Sequence, residues 1–215
     1  MLDKLAGLLS ARFSAAKPTS QTRRTWLDIA MGEPPAEGEK LPTLEDLRRL
    51  ADKAVVGTIS RFGEERPGKE MFGFALCVDE DMLSVFGRAS TQEYAQTLER
   101  QKRVYYTGDW DFENHDLYHE ASLALAALSA EYYQSERPDI GPGDNHLRPW
   151  KADLFRVLVD VLGELRAKGA FSEEIFLLVG LNDCGEWMLE RMNDGARALN
   201  RDDHYKIWRT LWYDS

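Results

Sequence analysis

The chain of 215 residues contains only two cysteines, Cys77 and Cys184, and it has no C-x-x-C pair. Small secreted domains usually depend on several disulfides, and cysteine-based zinc sites need cysteines in close pairs. The sequence therefore predicts reduced cysteines and a cytoplasmic protein.

Long apolar runs are also missing. No stretch approaches the ~20 apolar residues that a membrane-spanning helix requires. The first 16 residues include Asp3 and lack the continuous apolar run of a signal peptide. We therefore expect neither secretion nor contact with a membrane.

Motifs that carry common catalytic chemistry are absent as well. There is no G-x-S-x-G sequence, and neither cysteine lies within a known nucleophile signature. Gly141-Pro142-Gly143 lacks the Lys-Ser/Thr pair that completes a phosphate-binding loop. The sequence therefore predicts no cofactor and gives no catalytic residue.

Acidic residues dominate the charge. The net charge is −10, and residues 71–151 contribute −7 of it, with 14 acidic and 7 basic residues. A negative field repels nucleic acid and anionic lipid but attracts a basic protein. Solubility is the plainer explanation of the same charge.

The pattern of apolar residues predicts an α+β protein with a small, mostly antiparallel sheet covered by amphipathic helices. Met71–Val78 and residues 82–87 are apolar runs joined by three acidic residues, which indicates a hairpin. Further strands are expected at 175–181 and, as a short piece, at 104–107. Helices are predicted at 43–62, 91–101, 117–135, 151–168 and 184–199, and in the last segment.

Two parts of the chain differ in their pattern. Residues 1–42 combine a short amphipathic helix at 2–13 with polar and proline-rich connectors, and we interpret them as a helix and linker arm. Residues 43–215 are predicted to form a single α+β domain. Thr43 with Asp46 forms an approximate capping box at its start.

One segment alternates acids with aromatic residues and is the candidate site for binding a partner. Its candidate residues are Asp109, Trp110, Asp111, Phe112, Glu113 and Asp116. Two interpretations are open: an exposed acidic loop whose two rings lie in the core, or aromatic anchors ringed by carboxylates that contact a basic partner. The spacing from Asp109 to Glu120 imitates a calcium loop, but Asn114 replaces its turn glycine.

Two histidines offer a different hypothesis. His115 and His119 are four residues apart, so on a helix both rings would share one face, as zinc ligands do. The H-E-x-x-H order is absent, and no third ligand lies nearby in the sequence. We therefore expect these histidines to bind no metal.

Four segments together resemble the bacterial family catalogued as domain of unknown function 4303. They are FGFALCVDEDMLSVFGRASTQE, YYTGDWDFENHDLYHE, WKADLFRVLVDVLGELRAKGAF and EIFLLVGLNDCGEWMLERMN, and the resemblance covers roughly residues 45–200. It implies an α+β domain and no agreed activity. Small, acidic, solitary families of this kind often supply immunity partners of bacterial toxins, which is an argument by analogy.

These observations favour a non-catalytic protein that binds another protein. The specific hypothesis is an immunity-type inhibitor that blocks a basic bacterial toxin domain by steric and acidic complementarity. The alternative hypothesis is a metal-dependent enzyme that uses His115, His119 and the neighbouring carboxylates.

Overall fold

The structure, a computed structural model, describes residues 26, 28, 29, 38, 40–79, 81–99, 103–135, 149–181 and 186–212. Within them the chain forms six α-helices and four β-strands. In chain order these are α1 (Leu44–Glu65), β1 (Met71–Val78), β2 (Val85–Thr91), α2 (Gln92–Glu99), β3 (Phe112–Asn114), α3 (His119–Ser135), α4 (Pro149–Ala167), β4 (Phe176–Leu181), α5 (Glu186–Leu199) and α6 (Asp202–Trp212).

Helix α1 begins as the sequence predicts. The Asp46 amide donates to Thr43 Oγ1 and the Thr43 amide donates to Asp46 Oδ2, each over 3.1 Å. These two bonds satisfy amides that the first turn of a helix leaves without partners. The helix ends at Glu65, where the Arg66 amide donates to the carbonyl of Phe62.

The four strands form one sheet in the order β3-β2-β1-β4. The β1–β2 and β2–β3 pairs are antiparallel, whereas β4 lies parallel to β1. The α+β class is confirmed, and the sheet is mixed. The parallel pair is possible because α2, α3 and α4 lie between β1 and β4 in the chain, which is long enough for a crossover.

Strand β1 is an interior strand with both faces covered, as its apolar run predicts. Every residue after Met71 is buried. On one face Phe74 packs against Phe171, with ring centroids 5.2 Å apart. On the other, Cys77 Sγ lies 3.9 Å from Thr107 Oγ1. Because successive side chains alternate, apolar residues are needed at every position of such a strand.

Two expected strands are corrected. The predicted strand at 104–107 is a turn followed by a 3₁₀ helix at Thr107–Asp109, with the Tyr106 amide donating to the carbonyl of Arg103. Because this hydrogen bond joins residues three apart, it closes a turn, and the segment stays outside the sheet. The strand predicted at 82–87 begins at Val85 and continues to Thr91.

Part of the predicted arm lies in the core. Trp26 and Ile29 are buried, and the Trp26 indole N–H donates to the carbonyl of Lys40 over 3.3 Å. The boundary between residues 42 and 43 stays a prediction. The helix predicted at 2–13 lies outside the described residues. Across the described ranges, no helix has the length and apolar character to span a membrane.

Candidate functional site

Trp110 is a core residue. It is 6% exposed, and its indole N–H donates to the carbonyl of Val104 over 2.9 Å. Its ring meets those of Phe72 and Phe176 edge to face, with centroids 6.4 and 6.5 Å apart. A ring held in this way contributes to the fold rather than offering a free contact surface.

Phe112 is also buried, and it belongs to β3. It is 4% exposed and packs edge to face on Phe62 of α1, with centroids 5.4 Å apart. Residues 109–116 are therefore not one exposed loop, because Phe112–Asn114 pairs with β2 at the edge of the sheet. Of the two interpretations of the aromatic rings, the structure supports the core.

Each of the four candidate carboxylates faces an arginine. The pairs are Asp109 with Arg103 (2.6 Å), Asp111 with Arg66 (3.7 Å), Glu113 with Arg88, and Asp116 with Arg61 (3.5 Å). These arginines cancel much of the local negative charge. Asp116, whose side chain is 84% exposed, remains the most accessible carboxylate of the four. Contact of this segment with a partner stays a prediction.

His115 and His119 do not share a helix face. His115 precedes a 3₁₀ helix at Asp116–Tyr118, and α3 begins only at His119. The His115 ring stacks on Phe86 at 4.4 Å, and its Nε2 contacts the carboxylate of Glu113. Within the described ranges, no group of three His, Cys, Asp or Glu side chains could hold a metal ion.

Glu113 lies between His115 and Arg88. Partial burial raises the pKa of Glu113, but the hydrogen bond with His115 and the charge of Arg88 outweigh it, so this pKa lies below its ordinary value. A carboxylate held ionised in this way suits an ion pair better than proton transfer near neutral pH.

The pKa of Cys77 is shifted upward, whereas that of Glu113 is shifted downward. It is 1% exposed, and burial raises the pKa of its thiol to about 11. Because the thiolate is the nucleophile, burial and the raised pKa both make Cys77 a poor nucleophile.

A groove between α2 and α6 was not predicted from the sequence. It encloses a cavity of about 340 Å³. The residues that line this α2–α6 groove are Phe72, Gln92, Ala95, Gln96, Glu99, Val104, Tyr105, Ile207 and Leu211. Ile207 is 51% exposed at its edge, so a large apolar side chain is available there for contact.

The α2–α6 groove has one polar group on its floor, the hydroxyl of Tyr105. The Tyr105 hydroxyl lies 3.3 Å from His204 Nδ1. Burial, together with the charges of Asp203 and Glu99, raises the pKa of Tyr105 to about 12. The phenol therefore stays neutral, and acidic groups of both helices act on it.

A family model described as a domain of unknown function, DUF4303, matches residues 53–201, which is more than half of the chain. The chain belongs to this family. The matched range contains β1–β4, residues 109–116 and helix α2, which forms one wall of the α2–α6 groove. The match ends at residue 201, immediately before α6. Helix α6, the other wall of the groove, therefore lies outside the range that the DUF4303 model matches.

Comparison with curated proteins and with solved structures finds no match.

Proposed function

We propose that this DUF4303 protein acts without catalysis, by binding another protein at the α2–α6 groove. The observation that carries the proposal is the groove itself, a cavity of about 340 Å³ with the exposed Ile207 at its edge. Binding hot spots combine an apolar pocket with a polar rim. Here Gln92, Gln96 and Glu99 supply that rim.

The partner is a basic protein. The net charge of −10 would attract such a partner and speed its encounter. The finer proposal is an immunity-type inhibitor that covers the active site of a bacterial toxin domain. Steric blockade needs no cofactor, and the acidic charge supports this kind of partner only in general terms.

The test compares two lysine substitutions on equally exposed residues. Ile207→Lys places a charge at the groove, and Leu83→Lys places the same charge beyond the opposite end of β1. These side chains are 51% and 47% exposed, so neither substitution should unfold the protein. Tagged variants would be co-expressed with the products of neighbouring genes, and Kd would be measured for any complex.

We expect Ile207→Lys to lose ~2 kcal/mol or more of binding free energy, which raises Kd roughly 30-fold. We expect Leu83→Lys to change Kd little. Equal affinity of the two variants would show that the groove is not the docking surface. A wild-type protein that binds none of the tested proteins, while hydrolysing a substrate of its own, would overturn the proposal.

A further inference from the structure

The size of the α2–α6 groove limits what enters it. Its volume of about 340 Å³ lies near the lower end of small-ligand sites, which span roughly 300–1,000 Å³. A helix or strand of a partner would not fit inside. The space suits one large side chain that projects from the partner's surface.

The lining of the groove divides into an apolar part and a polar edge. Phe72, Val104 and Tyr105 form apolar surface at the floor, and Ile207 and Leu211 lie one turn apart on α6. Apart from the Tyr105 hydroxyl, the polar groups of the lining come from α2, where Gln92, Gln96 and Glu99 recur at helical spacing. An occupant therefore needs an apolar stem and a polar end.

The charge of the described residues that line the groove has one sign. Among the nine lining residues, Glu99 is acidic and none is basic. Glu99 is the last residue of α2, where the helix dipole adds partial negative charge, and Asp203 lies in the first turn of α6. Both carboxylates act on Tyr105 within the groove. A cation is thus favoured over an anion at this edge.

We propose that the α2–α6 groove binds an arginine or lysine side chain of the partner, with its stem along Ile207 and Leu211 and its cationic end at Glu99. Arginine and lysine bury their stems on apolar surface while the charge stays near water. A cation over the face of Tyr105 or Phe72 would gain further attraction. This inference rests on the proposed function and specifies the side chain that the groove selects.

The test uses two small probes that differ in charge. Nα-acetylargininamide and the neutral, nearly isosteric Nα-acetylcitrullinamide would be titrated into the full chain, with amide chemical shifts as the readout. We expect shifts around α2, Phe72 and α6, and two- to fivefold weaker binding of the citrulline probe, since Glu99 is exposed and its ion pair is screened.

Two variants on α2 complete the test. Glu99→Gln should remove the preference for arginine and leave citrulline binding unchanged. Glu93→Gln is the matched control, because Glu93 pairs with Lys69 and does not line the groove. Equal affinity of the two probes for the wild type, shifts elsewhere, or no shifts at all would overturn this inference. The proposed function is judged separately, by whether Ile207→Lys weakens the protein complex.

Discussion

Trp110 packs directly against the backbone of Gly73. A Cβ atom built on Gly73 would lie 2.8 Å from Cη2 of the indole, closer than real Cβ contacts allow. The absence of a side chain at Gly73 is therefore what allows Trp110 to cover this face of β1. The relationship places Trp110 in the fold and explains its burial better than a role in recognition.

We expect Gly73→Ala to destabilise the protein by about 1–3 kcal/mol, because the added methyl group must displace the indole or the strand. Trp110→Ala should cost about 3–5 kcal/mol by leaving a cavity. Urea unfolding would measure both. Gly163→Ala in α4 is the control: its Cβ would meet nothing closer than 3.7 Å, so this change should be neutral or stabilising. Equal stability of Gly73→Ala and wild type would contradict the argument.

Local signals predicted much of the fold. The apolar run Met71–Val78 and the capping box at Thr43 depend on neighbouring residues, and both are confirmed. Strand β3 was missed because three residues are too few to show a periodicity, and its pairing depends on distant β2. The direction of β4 depends on the path of the chain between β1 and β4.

The candidate site was harder to predict for the same reason. The alternation of acids and rings was visible, but three of the four arginines that neutralise the acids are remote in sequence: Arg61, for example, lies 55 residues from Asp116. The α2–α6 groove joins Phe72, Val104 and Ile207 from three distant segments. The spacing of Ile207 and Leu211 was visible in the sequence, yet it is equally typical of a helix face packed in the core.

Reversing the charges of Asp111 and Glu113 should destabilise the fold. Asp111 lies 3.7 Å from Arg66 and accepts a hydrogen bond from the Thr91 amide, and Glu113 pairs with Arg88. Lysines at both positions would face arginines and lose these bonds, at a cost of about 1–3 kcal/mol. Urea denaturation measures the loss.

Asp116→Lys is a better test of contact between residues 109–116 and a basic partner than the double reversal, because it should not destabilise the fold. Asp116 is 84% exposed, so stability should change by less than about 0.5 kcal/mol. If this segment meets the partner, association should slow, and added salt should reduce the difference. An unchanged association rate in a stably folded Asp116→Lys variant would remove the segment from the interface.

Cys77 should resist thiol reagents until the protein unfolds. With a thiol pKa of about 11, only about one molecule in a thousand carries a thiolate near pH 8. Alkylation of a Cys184→Ser variant, followed by mass spectrometry, isolates Cys77. Rapid labelling is expected in guanidinium chloride and very slow labelling without it. Fast reaction of the folded variant would mean that Cys77 is accessible.

His204 should make stability depend on pH. Its ring stacks on Phe176 and its Nδ1 lies 3.3 Å from the Tyr105 hydroxyl. Burial lowers the pKa of His204 below its ordinary value of 6.5. The charged groups that act on it are Asp203, Glu174, Arg201 and Arg166, and the two carboxylates offset burial only in part.

Because the folded pKa is depressed, the unfolded chain binds this proton more readily. The stabilising contribution of neutral His204 is therefore complete above about pH 6.5 and is lost as the pH falls through the folded pKa. Melting temperatures at about pH 7.5 and 5.5 should show a loss for wild type and a smaller loss for His204→Phe, which keeps an aromatic ring but cannot titrate. His119→Asn is the control, since His119 is exposed and its removal should leave the wild-type loss intact. The same loss in wild type and His204→Phe would show that another group causes the pH dependence.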